Sequence, residues 1–228
     1  MLIWTVYRIF SKEKGDEYYN EFYKYKCFHD IILEYLNDIT INFSQNLQKR
    51  DYLLILSSNS LDFLVFFVFI HFTLYCNSCK LILSLGMFYI LRLFIQKLLI
   101  FSYYDIYLFD YPGFWSFTVP LFRASDFFYS GHVGVCFLSA YYLYTHKVWT
   151  VFIISVFILF LEAYTLIILR AHYCIDIIFG FFIAHYISIV NNTLVNLIDN
   201  TWKKYFHTEN VALTPCNELL QFEMRLLT

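Results

Sequence analysis

Apolar residues along this chain gather into long, nearly unbroken runs, unlike the alternating or one-faced patterns of a soluble domain. Five such runs stand out, at about 60–77, 81–101, 128–146, 149–169 and 174–196. Each approaches the roughly 20 residues that an α-helix needs to cross a bilayer. The first is the weakest, because Asp62 and His71 interrupt it. Ahead of the runs, residues 11–52 are polar and charged, with Lys12, Glu13, Lys14, Asp16 and Glu17 near the front. Within this region the spacing of Ile31, Ile32, Leu33, Tyr35, Leu36, Ile39 and Ile41 predicts an amphipathic helix lying near a membrane interface. The character changes at about Leu53, and a polar tail starts near Asn200. The pattern therefore divides the chain into an N-terminal region (1–52), a transmembrane domain (53–199) and a C-terminal tail (200–228). The expected class is all-α, a polytopic membrane helical bundle.

Composition sharpens this reading. The 228 residues are 60% hydrophobic and only 15% charged, with 27 Phe and 21 Tyr. A soluble domain carries about 25% charged residues, so a bilayer is the expected solvent. The Phe and Tyr excess suits lipid-facing surface and interfacial belts. A formal net charge of −2 offers no basic patch for nucleic acid. Six cysteines are scattered, mostly in apolar runs, where a thiol behaves as a small hydrophobe. Cys76-Asn77-Ser78-Cys79 has redox-motif spacing but lies in a tight loop between two expected spans. Met1–Phe10 is apolar but too short for a convincing signal peptide.

Between the second and third spans, residues 102–126 hold two of the three prolines (Pro112 and Pro120), Gly113 and three aspartates. A long loop of this kind is a candidate functional element. Two motifs then open later spans: Tyr129-Ser130-Gly131-His132, and Arg170-Ala171-His172-Tyr173-Cys174-Ile175-Asp176. His172 and Asp176 are spaced i, i+4, so on a helix both side chains fall on one face. The carboxylate then accepts the proton of one imidazole nitrogen, and the other nitrogen is left to attack phosphorus. Gly131 lets the backbone approach an anionic group closely. One complete hairpin separates the two histidines, so both face the same membrane surface, together with the 102–126 loop. Lys80, Lys147, Lys203 and Lys204 flank the opposite surface, which the positive-inside rule makes cytoplasmic. The site would then be lumenal, in the endoplasmic reticulum or Golgi.

At these residues the chain resembles a known family. Ser125-Asp126-Phe127-Phe128-Tyr129-Ser130-Gly131-His132, followed by His172-Tyr173-Cys174-Ile175-Asp176, is similar to the sphingomyelin-synthase-like branch of the lipid phosphatase/phosphotransferase superfamily. The likeness extends to plant phosphatidylcholine:diacylglycerol cholinephosphotransferases, through the Phe-Tyr-Ser-Gly-His-Val run, the Arg-x-His-Tyr-x-Ile-Asp run and Asp110-Tyr111-Pro112-Gly113. It covers roughly residues 50–190. The wider phosphatase branch carries an arginine six residues before its second histidine and an Arg-Pro element. Here Leu166 holds the first place and no Arg-Pro pair occurs. The family has six spans where five are legible here, so the resemblance implies five to six.

The resemblance implies a phosphotransferase that moves a phosphorylated alcohol, phosphocholine in the first instance, from a glycerophospholipid to diacylglycerol or ceramide. His172, oriented by Asp176, would carry the headgroup as a phosphohistidine. His132 would serve as acid and then base. Ser130, Gly131, Arg170 and Arg123 are candidates to hold the phosphate. Arg92, Gln96 and Lys97 share one face near the end of the second span, and either bind lipid phosphate or mark where that span leaves the membrane. Asp126 either assists the catalytic residues or caps a helix. Glu162, inside the fourth span, is either functional or paired structurally. Asn191-Asn192-Thr193 is a glycosylation sequon by pattern, at a span end on the cytoplasmic side. His71, His146, His185 and His207 are assigned no role. No cofactor or metal is called for, and the expected partners are the lipid substrates and the bilayer. Hydrolysis at the same histidine, or a non-catalytic lipid-binding protein, are the alternatives.

Overall fold

The computed structural model describes residues 30–76, 78–98, 107–114, 116–119 and 128–206, and these form an all-helical bundle. In chain order the helices are α1 (Ile31–Tyr35), α2 (Asn37–Gln45), α3 (Leu47–Tyr75), α4 (Lys80–Leu98), α5 (Gly131–Thr145), α6 (Trp149–Ile168) and α7 (Cys174–Phe206). Asp30 starts α1 by accepting the N–H groups of Ile32 and Leu33 on its side chain, and Asn46 caps α3 in the same way through Lys49. Helix α3 runs through residue 52 without a break, so the change in composition near Leu53 falls inside one element. Likewise α7 passes Asn200 and continues to Phe206.

Three of these helices are long and apolar enough to cross a membrane: α3, α6 and the first part of α7, Cys174–Asn191. A count of five to six spans is thus not reached among the described residues. The shortfall is physical for α5, whose 15 residues rise only about 22 Å against a hydrocarbon core of about 30 Å. Helix α4 carries three cations, Lys80, Arg92 and Lys97, and no acidic residue.

Burial is inverted relative to a soluble protein. Along α6 the residues Ile153, Phe157, Phe160 and Tyr164 point outward, while Ser155, Glu162 and Thr165 point inward. Helix α3 turns Phe63, Phe66, Phe69 and Ile70 out and keeps Ser57, Ser58, Leu61, Leu64 and Val68 in. Apolar groups facing outward and polar groups bonded inside is the arrangement that a lipid solvent selects, and it makes this a membrane-associated helical protein.

Helix α5 is the hub. It is buried on nearly every side and packs against α3, α4, α6 and α7. Gly134 lets α4 approach it: a Cβ there would lie 1.9 Å from Phe88 Cζ. Polar pairs tie the remaining helices. Ser57 Oγ donates to Glu162 Oε1 at 2.6 Å, joining α3 to α6 through a carboxyl group that is 1% exposed. Glu162 is therefore held by a neighbouring helix. Asn191 Nδ2 donates to Lys80 O at 2.6 Å and to Ser84 Oγ, joining α7 to α4. Its amide nitrogen, where a glycan would attach, is thus committed inside the bundle. At the end of α3, His71 Nδ1 lies 2.9 Å from Tyr142 Oη and Cys76 Sγ lies 3.5 Å from His146 Nε2, both local packing contacts.

Candidate active site

The Ser-Gly-His motif forms the first turn of α5. Ser130, fully buried, is the N-cap, and its hydroxyl accepts the Val133 N–H at 3.4 Å. Arg92 reaches this turn from α4. Its Nε donates to Tyr129 O at 3.2 Å, and its guanidinium lies flat against Gly131, where a Cβ would come within 3.2 Å of Cζ and Nη1. A methyl group there would press the guanidinium back by a few tenths of an ångström. The turn is held from behind by Tyr129, whose hydroxyl donates to Phe88 O at 2.8 Å. A helix N-terminus and a guanidinium therefore meet at one point, both favouring an anion.

The second motif is the sharp connection from α6 to α7. Arg170 takes a left-handed conformation (φ 54°) and reverses the chain. The carbonyl of Leu166 collects the N–H groups of Ala171 at 2.9 Å and His172 at 3.4 Å. His172 and Asp176 are each 2% exposed, with His172 Nδ1 3.3 Å from Asp176 Oδ2. The same oxygen accepts the Tyr173 N–H at 3.1 Å, so Asp176 also acts as the acidic residue of a capping box on α7. A carboxylate only accepts, so Nδ1 carries the hydrogen and the lone pair of the neutral ring resides on Nε2. One residue thereby fixes both the helix start and the imidazole tautomer.

The two motifs, about forty residues apart in sequence, are joined through their backbones. Ser130 N–H donates to Asp176 O at 3.0 Å, and a Cβ on Gly180 would fall 2.8 Å from Ser130 O. The segment between α4 and α5 closes over the same end of the bundle. Leu108 N–H donates to Leu169 O at 2.9 Å, the Phe109 ring lies 5.7 Å from that of His132, and His132 Nε2 is 3.2 Å from Thr118 O. Both histidines and this loop thus share one surface of the bundle.

Of the residues expected to hold phosphate, Ser130, Gly131 and Arg92 are brought together. Arg170 turns elsewhere: its Nη2 donates to Leu33 O at 3.1 Å and Asn37 Oδ1 at 2.8 Å, anchoring α1 and α2. Its motif position placed it beside His172, but the reversal at φ 54° directs the side chain to the N-terminal helices. Arg123 and Asp126 lie outside the described residues. Sequence reasoning missed Asp30, whose Oδ2 accepts the Cys174 N–H at 2.8 Å and so helps start α7 from 144 residues away. It also missed Thr40, which donates to Ile168 O at 3.0 Å, and the Thr118 carbonyl. An N-cap aspartate before an amphipathic run was a readable signal for Asp30; nothing in the sequence marked its second bond. Among the described residues, no group of three or more His, Cys, Asp or Glu side chains is arranged to hold a metal ion. No protein-family model, no curated protein and no solved structure matches the chain.

Proposed function

We propose that this protein is an integral membrane enzyme that transfers a phosphorylated alcohol, phosphocholine first among the candidates, from a glycerophospholipid to diacylglycerol or ceramide. The observation that carries the reading is the buried His172–Asp176 pair, tied by backbone to the first turn of the Ser-Gly-His helix. In the proposed cycle, His172 Nε2 attacks the donor phosphorus, and the bond from phosphorus to the diacylglycerol oxygen breaks. His132, starting the cycle as imidazolium, gives that oxygen its proton and becomes neutral. The acceptor hydroxyl then loses its proton to His132 and attacks the phosphohistidine. The new P–O bond forms, the P–N bond breaks, and both histidines return to their starting states. Arg92 and the N–H groups at the start of α5 would hold the phosphoryl oxygens. The same reading takes α3 to α7 as five membrane helices, with the site on the surface opposite Lys80 and Lys147, hence lumenal. In water this nucleophile would hydrolyse its donor, so a site inside the membrane boundary favours transfer to a lipid.

The test uses purified protein in mixed micelles with headgroup-labelled phosphatidylcholine and either diacylglycerol or ceramide. Label in a second lipid is the expected result, and the working acceptor names the substrate. Release of label only as free phosphocholine or phosphate would replace transferase with hydrolase. Absence of turnover with choline, ethanolamine and inositol donors would remove the enzymatic reading.

A further inference from the structure

Asp62 stands sixteenth of the 29 residues of α3, at the middle of a helix able to cross a membrane. A carboxyl group within such a helix needs partners, and it finds them in the loop that precedes α5. Ser116 Oγ donates to Asp62 Oδ2 at 2.8 Å, and Phe117 N–H donates to the same oxygen at 2.9 Å. Nearer the start of α3, Arg50 Nη1 lies 4.0 Å from Asp110 Oδ2. Twelve helical residues separate Arg50 from Asp62, a rise of about 18 Å. Six residues from Asp110 to Ser116 can cover that span if nearly extended, at about 3.3–3.6 Å each. The loop therefore runs along α3 from the level of Arg50 to that of Asp62. Irregular backbone within a membrane is tolerated only where its polar groups are satisfied by protein.

From Ser116 the contacts lead to the site. While its hydroxyl donates to Asp62, its oxygen accepts the Thr118 N–H at 3.1 Å and the Val119 N–H at 3.3 Å. Val119 N–H and Thr118 C=O are opposite ends of one planar peptide unit, and in a trans peptide they point in opposite directions. Fixing the N–H on Ser116 aims the carbonyl the other way, where His132 Nε2 lies at 3.2 Å. A carbonyl only accepts, so Nε2 carries the hydrogen and the lone pair of neutral His132 is assigned to Nδ1.

We propose that Asp62 is a positioning residue for His132: it holds Ser116 and Phe117 against α3, and the Thr118–Val119 peptide passes that constraint to the imidazole orientation and tautomer. The proposal rests on the transferase reading insofar as His132 is the acid and base, but its structural content stands apart from it. Asp62 acts on His132 at a distance, through hydrogen bonds to the loop. An asparagine can accept the same two bonds through its carbonyl oxygen, whereas alanine cannot.

Full-length protein labelled with ¹⁵N-histidine, in detergent–lipid micelles, gives two independent readouts. The His132 nitrogens are identified by their absence in His132→Gln, and His172 serves as an internal control of folding. In Asp62→Ala the protonated-Nε2 signature of His132 should be lost while the His172 signals stay. Turnover should fall about 10²-fold with little change in KM, and Asp62→Asn should recover it to within about threefold of wild type. Ser116→Ala provides a second break in the chain of contacts and should move the same signals if Asp62→Ala fails to fold. Unchanged His132 signals in Asp62→Ala and Ser116→Ala would overturn the proposal, as would Asp62→Asn matching alanine in turnover. If wild type shows no transfer but Asp62→Ala still shifts His132, the positioning role stands and the transferase reading fails.

Discussion

At the scale of single residues, the candidate chemistry depends on where two imidazole hydrogens reside. Asp176 sets the first, because its Oδ2 faces His172 Nδ1 at 3.3 Å in a site closed to water. Asp176→Asn can place an N–H against that nitrogen and favour the wrong tautomer. Headgroup transfer should then fall by about 10²–10⁴-fold. His172→Ala should abolish it, with both variants still inserted in membranes. Wild-type turnover in either one, measured by lipid chromatography, would exclude His172 as nucleophile. Glu162 belongs to stability. Replacing it with alanine leaves the buried Ser57 hydroxyl without its acceptor, at a cost of about 1–3 kcal/mol. The expected readout is a lower melting temperature in detergent without a matching change in KM. The i, i+4 spacing of His172 and Asp176 was legible in the sequence, but only Asp176 lies in the first turn of α7; His172 sits in the bend before it, where the expected helix has not begun. The direction of Arg170 was not legible, because it follows from a left-handed backbone at the residue itself and from partners 133 and 137 positions away.

At the scale of elements, close approach of backbones decides how the site is assembled. Gly134 meets the Phe88 ring, so Gly134→Ala should overpack the α4–α5 contact and destabilise the protein by about 1–3 kcal/mol. Phe88→Leu in the same chain should restore part of that loss in thermal unfolding, and failure to do so would place the strain elsewhere. Gly180 faces backbone instead of a movable ring. A methyl group there must push α7 away from Ser130 O, loosening the Ser130–Asp176 bond between the two motifs. Gly180→Ala should therefore lose turnover disproportionately to stability, and a parallel loss of both would argue for simple unfolding. Asp30, Asn46 and Ser130 cap the starts of α1, α3 and α5, positions that the hydropathy pattern did not mark. Helix bounds were harder to read: α3 begins at Leu47, ahead of the compositional change near residue 53, because its first turns keep helical hydrogen bonds whatever their polarity.

At the scale of the whole molecule, the inverted burial of α3, α6 and α7 demands an apolar solvent. After an alkaline wash of membranes the protein should stay in the pellet; release to the supernatant would contradict a spanning bundle. On the proposed orientation, an impermeant reagent should reach the Lys80 and Lys147 end from the cytoplasmic side, and labelling from the other side would invert it. The N-terminal helices α1 and α2 are part of this whole. Leu33 packs on Tyr173 and Cys174, and Thr40 and Asp30 bond the turn that carries His172. Their exposed Ile31, Ile32 and Tyr35 keep the apolar stripe of an interfacial helix.

What the amino-acid sequence determined by itself was everything carried by composition and by neighbours within a turn or two. That includes the helical class, the membrane as solvent, and the His172–Asp176 pairing, because hydropathy and i, i+4 spacing are local properties. Tertiary structure alone decided which distant groups meet. Arg92 against Gly131, Asp30 on Cys174, and Asp62 on the loop over His132 are contacts across 39, 144 and about 55 positions. No periodicity encodes them, since each arises from the packing of separate helices. Asp62 shows the difference most plainly: in the sequence it is an interruption in an apolar run, and in the fold it is the partner of an irregular loop that leads to His132.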